Sequence, residues 1–197
     1  MAFPYNQVFI NGSLTYSQYR QDINDALKQP PKDEAAQKMR PYIENNVVLM
    51  DKYDSSYKVT DTFKDTVKAA PATIWLVLTE GWCGDAAFNV PMFAAIEKAV
   101  PEKVQLRIFL RDSNPQLMDE HLTDGGRSIP KLIVLSQDLQ ELGNWGPRPA
   151  GLQILMKDWK GEGLGLKEII PKVHQWYDAD ATHSLQEELM LLVKSYS

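Results

Sequence analysis

The chain has 197 residues, 44% of them apolar and 10% aromatic, so it is long and apolar enough to bury a sizeable core and disorder is excluded. Its formal net charge of −5 leaves no basic footprint for nucleic acid or for an anionic membrane surface. One cysteine excludes an intrachain disulfide and fits a reducing compartment, and the opening Met1-Ala-Phe-Pro-Tyr-Asn-Gln lacks the charged and apolar regions of a signal peptide, so a soluble cytoplasmic protein is expected.

The first seventy or so positions have helical spacing. Tyr16, Tyr19, Ile23 and Leu27 fall on one face after Ser13 or Thr15 as cap. Met39, Ile43, Val47 and Met50 form a second stripe, with Pro41 expected to kink the helix or mark a restart. Phe63, Val67 and Ala70 form a third, opened by Thr60 or Asp61 and closed before Pro71. The period then changes. Ala72 to Leu78 is a continuous apolar, β-branched run, as in a strand covered on both faces, and it is far too short to span a bilayer. Residues 85–99 predict a helix with Phe88, Met92, Ala95 and Ile96 inward and a possible kink at Pro91. Val104 to Leu110 is a second strand, Asn114 to Leu122 a short helix, Lys131 to Leu135 a third strand and Glu141 to Trp145 a fourth. Pro149 is expected to open a helix running to about Lys160, and helical material follows the Gly161–Gly165 break at 166–177 and 182–193. The pattern is α/β: a three-layer α/β/α sandwich with a mixed sheet of about four strands and extra helices at both termini. The expected organisation is a helical N-terminal extension at 1–71, a core at 72–160 and a C-terminal helical segment at 161–197, within one compact domain.

The stretch Thr79-Glu-Gly-Trp-Cys-Gly-Asp-Ala-Ala places Cys83 between a buried strand and the start of a helix. Unpartnered N–H groups at a helix start favour thiolate, so the Cys83 pKa is expected below the free value of about 8.5. Gly84 permits close approach of a partner, Trp82 can shield the sulfur, and Asp85 opposes ionisation by its charge. A second stretch, Gly125-Gly-Arg-Ser-Ile-Pro130, runs straight into the third strand. Proline there invites a cis Ile129–Pro130 bond that would leave Ile129 backbone free for an extended peptide.

Trp82-Cys83-Gly84 after an apolar strand, with Ser128-Ile129-Pro130 entering a later one, resembles the thioredoxin superfamily. More narrowly, E-G-W-C-G-D-A-A, then L-R-D-S-N, then R-S-I-P-K-L-I, resembles bacterial thioredoxin-like proteins with a helical N-terminal extension, over roughly residues 72–160. The resemblance implies a nucleophile at Cys83 and a substrate groove formed by Trp82, Gly84, Asp85, Ser128, Ile129 and cis-Pro130. The position of the family's resolving cysteine is Ala86, and that of its buried carboxylate is Val77, so both parts that release a mixed disulfide are missing. No cofactor and no metal is expected: His121, His174 and His183 are scattered, and the Gly161–Gly165 segment lacks a phosphate-binding lysine. Arg148 and Arg127 are expected to be solvated surface residues.

Three functions follow. The first is a monothiol thiol-disulfide oxidoreductase whose Cys83 exchanges with a protein disulfide or a low-molecular-weight thiol and is resolved from outside. The second is a binding module that kept the fold and gave up catalysis. The third is a redox sensor oxidised at Cys83.

Overall fold

The computed structural model describes residues 3–197. Four strands form one mixed sheet in the order β2-β1-β3-β4, with β1 at Thr73–Thr79, β2 at Val104–Leu110, β3 at Lys131–Ser136 and β4 at Glu141–Trp145. β1 pairs with β2 in parallel and with β3 antiparallel, and β3 pairs antiparallel with β4. Every residue of β1 is buried, and successive side chains point to opposite faces, so helices cover the sheet on both sides. This is the thioredoxin-like α/β arrangement with additional helices.

The helices are α1 Gln7–Asn11, α2 Tyr16–Lys28, α3 Glu34–Ser56, α4 Asp61–Ala69, α5 Gly84–Ala99, α6 Pro115–Asp119, α7 Ala150–Gly161, α8 Leu166–Asp180 and α9 His183–Ser195. Thr15 caps α2 in a capping box with Gln18, Asp33 caps α3 and Thr60 caps α4, each side chain accepting a backbone N–H of the first turn. α3 runs through Pro41 as one helix, the proline forgoing the bond an N–H there would make to Gln37 O. Met39 is exposed, so the α3 stripe that meets the core begins at Ile43. Pro149 precedes α7 as its cap instead of opening it.

The N-terminal segment is tied to the sheet. Leu14 and Ile108 exchange backbone bonds of 2.9 and 2.8 Å, which pairs the free edge of β2 at that point. Ile10, Tyr19, Met50, Phe63 and Val67 join the same apolar cluster as Trp75, Leu76 and Ile133. The extension and the sheet therefore share one core. α3 packs along α5, and α9 packs on α4 and β4.

Candidate active site

Cys83 is the N-cap of α5, at the end of the loop that leaves β1. Its N–H bonds Glu80 O at 3.1 Å, closing the Glu80-Gly81-Trp82 turn. The turn is held from α3 as well: buried Asn46 donates to Gly81 O at 3.0 Å. Gly81 sits so close to Ile23 of α2 that an added Cβ would come within 3.1 Å of its side chain. Two contacts that hold the thiol loop thus come from the N-terminal helices.

The Ile129–Pro130 bond is cis, as expected, and Pro130 is buried just ahead of β3. This geometry brings Ile129 O to 3.2 Å from Cys83 Sγ, which donates to it. Only 8% of Cys83 is exposed. Burial, and secondarily the charge of Asp85, push the thiol up to about 12; the Ala86 N–H, the Arg148 charge and the Asp85 N–H pull the other way without prevailing. The expectation of a lowered Cys83 pKa is therefore corrected. The helix start does point N–H groups at the sulfur, but desolvation outweighs them.

Asp85 belongs to a buried polar cluster. The Arg148 guanidinium spans its carboxylate, with Nε at 3.1 Å from both oxygens and Nη2 on Oδ2. Tyr177 donates its hydroxyl to Asp85 Oδ1 at 2.9 Å, and Asn89 donates to the Tyr177 hydroxyl at 2.9 Å. Phe88 stacks on the Tyr177 ring with centroids 4.1 Å apart and meets His174 edge-on. Arg148 is thus not a solvated surface arginine: it is mostly buried and raised in pKa by Asp85 against the opposing effect of burial. Arg127 does lie on the surface, paired with Asp119 at 2.7 Å.

The remaining candidates lie on the loops that carry Cys83 and the cis proline. Trp82 is half-buried with the Arg111 guanidinium 4.8 Å above its ring. Gly84 is exposed, and nothing lies within 4 Å of where a Cβ would be. Ser128 is half-buried on the loop before the cis proline. Ile129 N–H has no protein acceptor among the described residues, so it stays free to bond a bound chain while its carbonyl holds the thiol. Ala86 and Val77 are fully buried, and neither supplies a sulfur or a carboxylate to the site. Gly146 packs against the other side of this loop, with φ of +120° and a cis bond to Pro147; a Cβ there would stand 2.3 Å from Pro130 O.

A family model described as thioredoxin matches residues 32–160. The chain belongs to the thioredoxin family. The match to this thioredoxin model includes α3 and α4, so it reaches further toward the N-terminus than the expected 72–160 core. No curated protein matches the chain. Among solved structures, the thioredoxin-family chain is similar to PA1234, a protein of unknown function from Pseudomonas aeruginosa, at 12% identity and a TM-score of 0.64, covering 99% of this chain and 100% of that one. It is also similar to an HIV 4E10 epitope-scaffold at 14% identity and a TM-score of 0.58, covering 93% of this chain and 100% of that one. At these identities the likeness is one of fold.

Three participants escaped sequence reasoning. Tyr177 lies far from the motif in sequence, whereas Asn89 is only six residues after Cys83 on the same helix and carried no signal of its role. Gly146-Pro147, by contrast, carried a visible turn signal of the same kind as Ile129-Pro130.

Proposed function

We propose that this thioredoxin-family protein is a recognition module that binds an extended polypeptide beside the cis-Pro130 loop and keeps Cys83 as a neutral thiol. The observation that carries it is the Cys83 Sγ–Ile129 O hydrogen bond in a site 8% exposed. With a pKa near 12, about one thiol in 10⁵ is ionised at neutral pH, too few for a resting nucleophile. No base stands ready to take the proton, since Asp85 is occupied by Arg148 and Tyr177. The free Ile129 N–H and the open flank at Gly84 support backbone docking of a partner chain.

The second reading is monothiol exchange, favoured by the Asp85 and Ala86 N–H groups aimed at the sulfur. A Cys83 thiolate would attack one sulfur of a substrate disulfide and expel the other as thiolate; an external thiol would then displace the product from Cys83. A disulfide-linked dimer through so deeply placed a sulfur has no support in this geometry. Thiolate absorbance titration with Cys83→Ser as blank separates the readings. The recognition module requires a midpoint above about pH 10 and partner capture unchanged by Cys83→Ser. A midpoint below about 8, with a mixed disulfide accumulating from oxidised glutathione, would replace it with the exchange mechanism.

A further inference from the structure

A cavity of about 420 Å³ lies between α2, α3 and the thiol loop, without Cys83 in its lining. Tyr19, Ile23, Leu27, Ile43, Trp82 and Leu110 give it apolar walls, and its volume falls in the range that holds small ligands. Its charged groups are sorted by sign. At the α2–α3 turn stand Lys32 and Arg40; Arg40 donates to Gln29 O at 2.8 Å and to Leu27 O and pairs through Nε with Glu44 at 2.9 Å, which fixes its guanidinium at the end of α2 and leaves Lys32 as the uncompensated cation there. Lys32 has no ion-pair partner among the described residues. At the thiol-loop end stand Asp22 and Glu80, the latter accepting the Asp112 N–H at 2.9 Å. Asp22 and the end of α2 are about 10 Å apart along the helix.

We infer that this cavity binds a small amphipathic carboxylate, with its anionic end at Lys32, beside the Arg40–Glu44 pair, and its apolar chain running toward Trp82. Charge complementarity sets the orientation: the reverse pose would place a carboxylate against Asp22 and Glu80. Apolar walls about as long as a medium acyl chain supply the affinity, since each buried methylene contributes about 0.8 kcal/mol. The cavity shares Gly81 and Trp82 with the thiol loop but uses no residue of the Asp85 cluster. It gives the N-terminal helices a task beyond closing the core.

The test is calorimetric titration of the full chain with octanoate, octanol and octyltrimethylammonium, each below its micelle concentration. Octanoate is expected to bind with one-to-one stoichiometry and octanol about fivefold more weakly, while octyltrimethylammonium, whose head can be held only at the Asp22–Glu80 end, should lose no affinity on Lys32→Glu. Lys32→Glu should weaken octanoate about fivefold and leave octanol unchanged, and Cys83→Ser should change nothing. Leu27→Trp, which fills the cavity, should abolish binding while the circular dichroism stays native. Amide chemical-shift changes in the wild-type chain, confined to α2, Ile43 and Trp82, keep the test decisive if that variant fails to fold. Equal binding of all three probes, no binding of octanoate, or shift changes elsewhere would overturn the proposal.

Discussion

Cys83 and Ile129 are bound to each other, the thiol donating to the carbonyl at 3.2 Å across 46 positions of sequence. The bond is formed by the protonated sulfur, so it shares the fate of the proton. Folding raises the Cys83 pKa, which means the buried neutral thiol contributes its stability fully below the unfolded value of about 8.5 and loses it as pH climbs toward about 12. In that window the unfolded chain has released the proton and the folded chain retains it. Stability should fall by up to about 1.4 kcal/mol per pH unit from this group. Buried tyrosines such as Tyr19 add a slope of the same sign, so the check is the difference between wild type and Cys83→Ala in urea melts at alkaline pH.

Asp85→Asn removes the charge that stands second among the causes raising the Cys83 pKa, and it frees Arg148 to act on the sulfur alone. The thiol should then ionise at lower pH. Iodoacetamide alkylation followed against pH is expected to shift its midpoint downward relative to wild type; an unchanged midpoint would mean that burial alone sets the value.

Arg148→Ala strands the Asp85 carboxylate, whose side chain is only 13% exposed. The expected loss is about 2–3 kcal/mol, short of a fully buried pair because both partners keep some solvent contact. Tyr177→Phe deletes one hydrogen bond to the same carboxylate and orphans Asn89 Nδ2 on that side, for about 1–2 kcal/mol. The double variant should lose less than the sum, since both act on one carboxylate. Chemical denaturation of all four proteins measures it.

Gly146→Ala should be far more damaging than Gly84→Ala. The first drives a Cβ to 2.3 Å from Pro130 O at a φ of +120°, whereas the second meets open space. We expect a loss of more than about 3 kcal/mol or failure to fold for Gly146→Ala, and under about 1 kcal/mol for Gly84→Ala. Thermal melts of the two variants decide it.

Ala86→Cys restores a second sulfur in the first turn of α5. Oxidation of that variant should form an intrachain disulfide with Cys83, seen as the loss of two hydrogens by mass spectrometry and reversed by dithiothreitol. Failure to close the bond would show that the helix start has drifted from a dithiol geometry.

Much of this was legible in the chain itself. A short, unbroken apolar and β-branched run reads as a strand covered on both faces, so β1 and β3 were visible in the chain, and Ser/Thr caps marked where α2 and α4 begin. Trp82-Cys83-Gly84 and Ile129-Pro130 announced the site because turn and cis-proline chemistry is local. Pro41 marks no restart of the helix, because the packing of α3 along α5 outweighs one lost backbone bond and that packing is not local.

The α/β pattern, the position of the sole thiol and the alanine where a partner sulfur would stand are readable along the chain, because they rest on local periodicity and residue identity, and the motifs around Cys83 and Pro130 carried the family resemblance. Only the tertiary structure decided the ionisation of that thiol. The pKa is a balance between desolvation and distant charges, and the groups that set it (Ile129 O, Arg148, Tyr177) reach Cys83 through packing that no local pattern records.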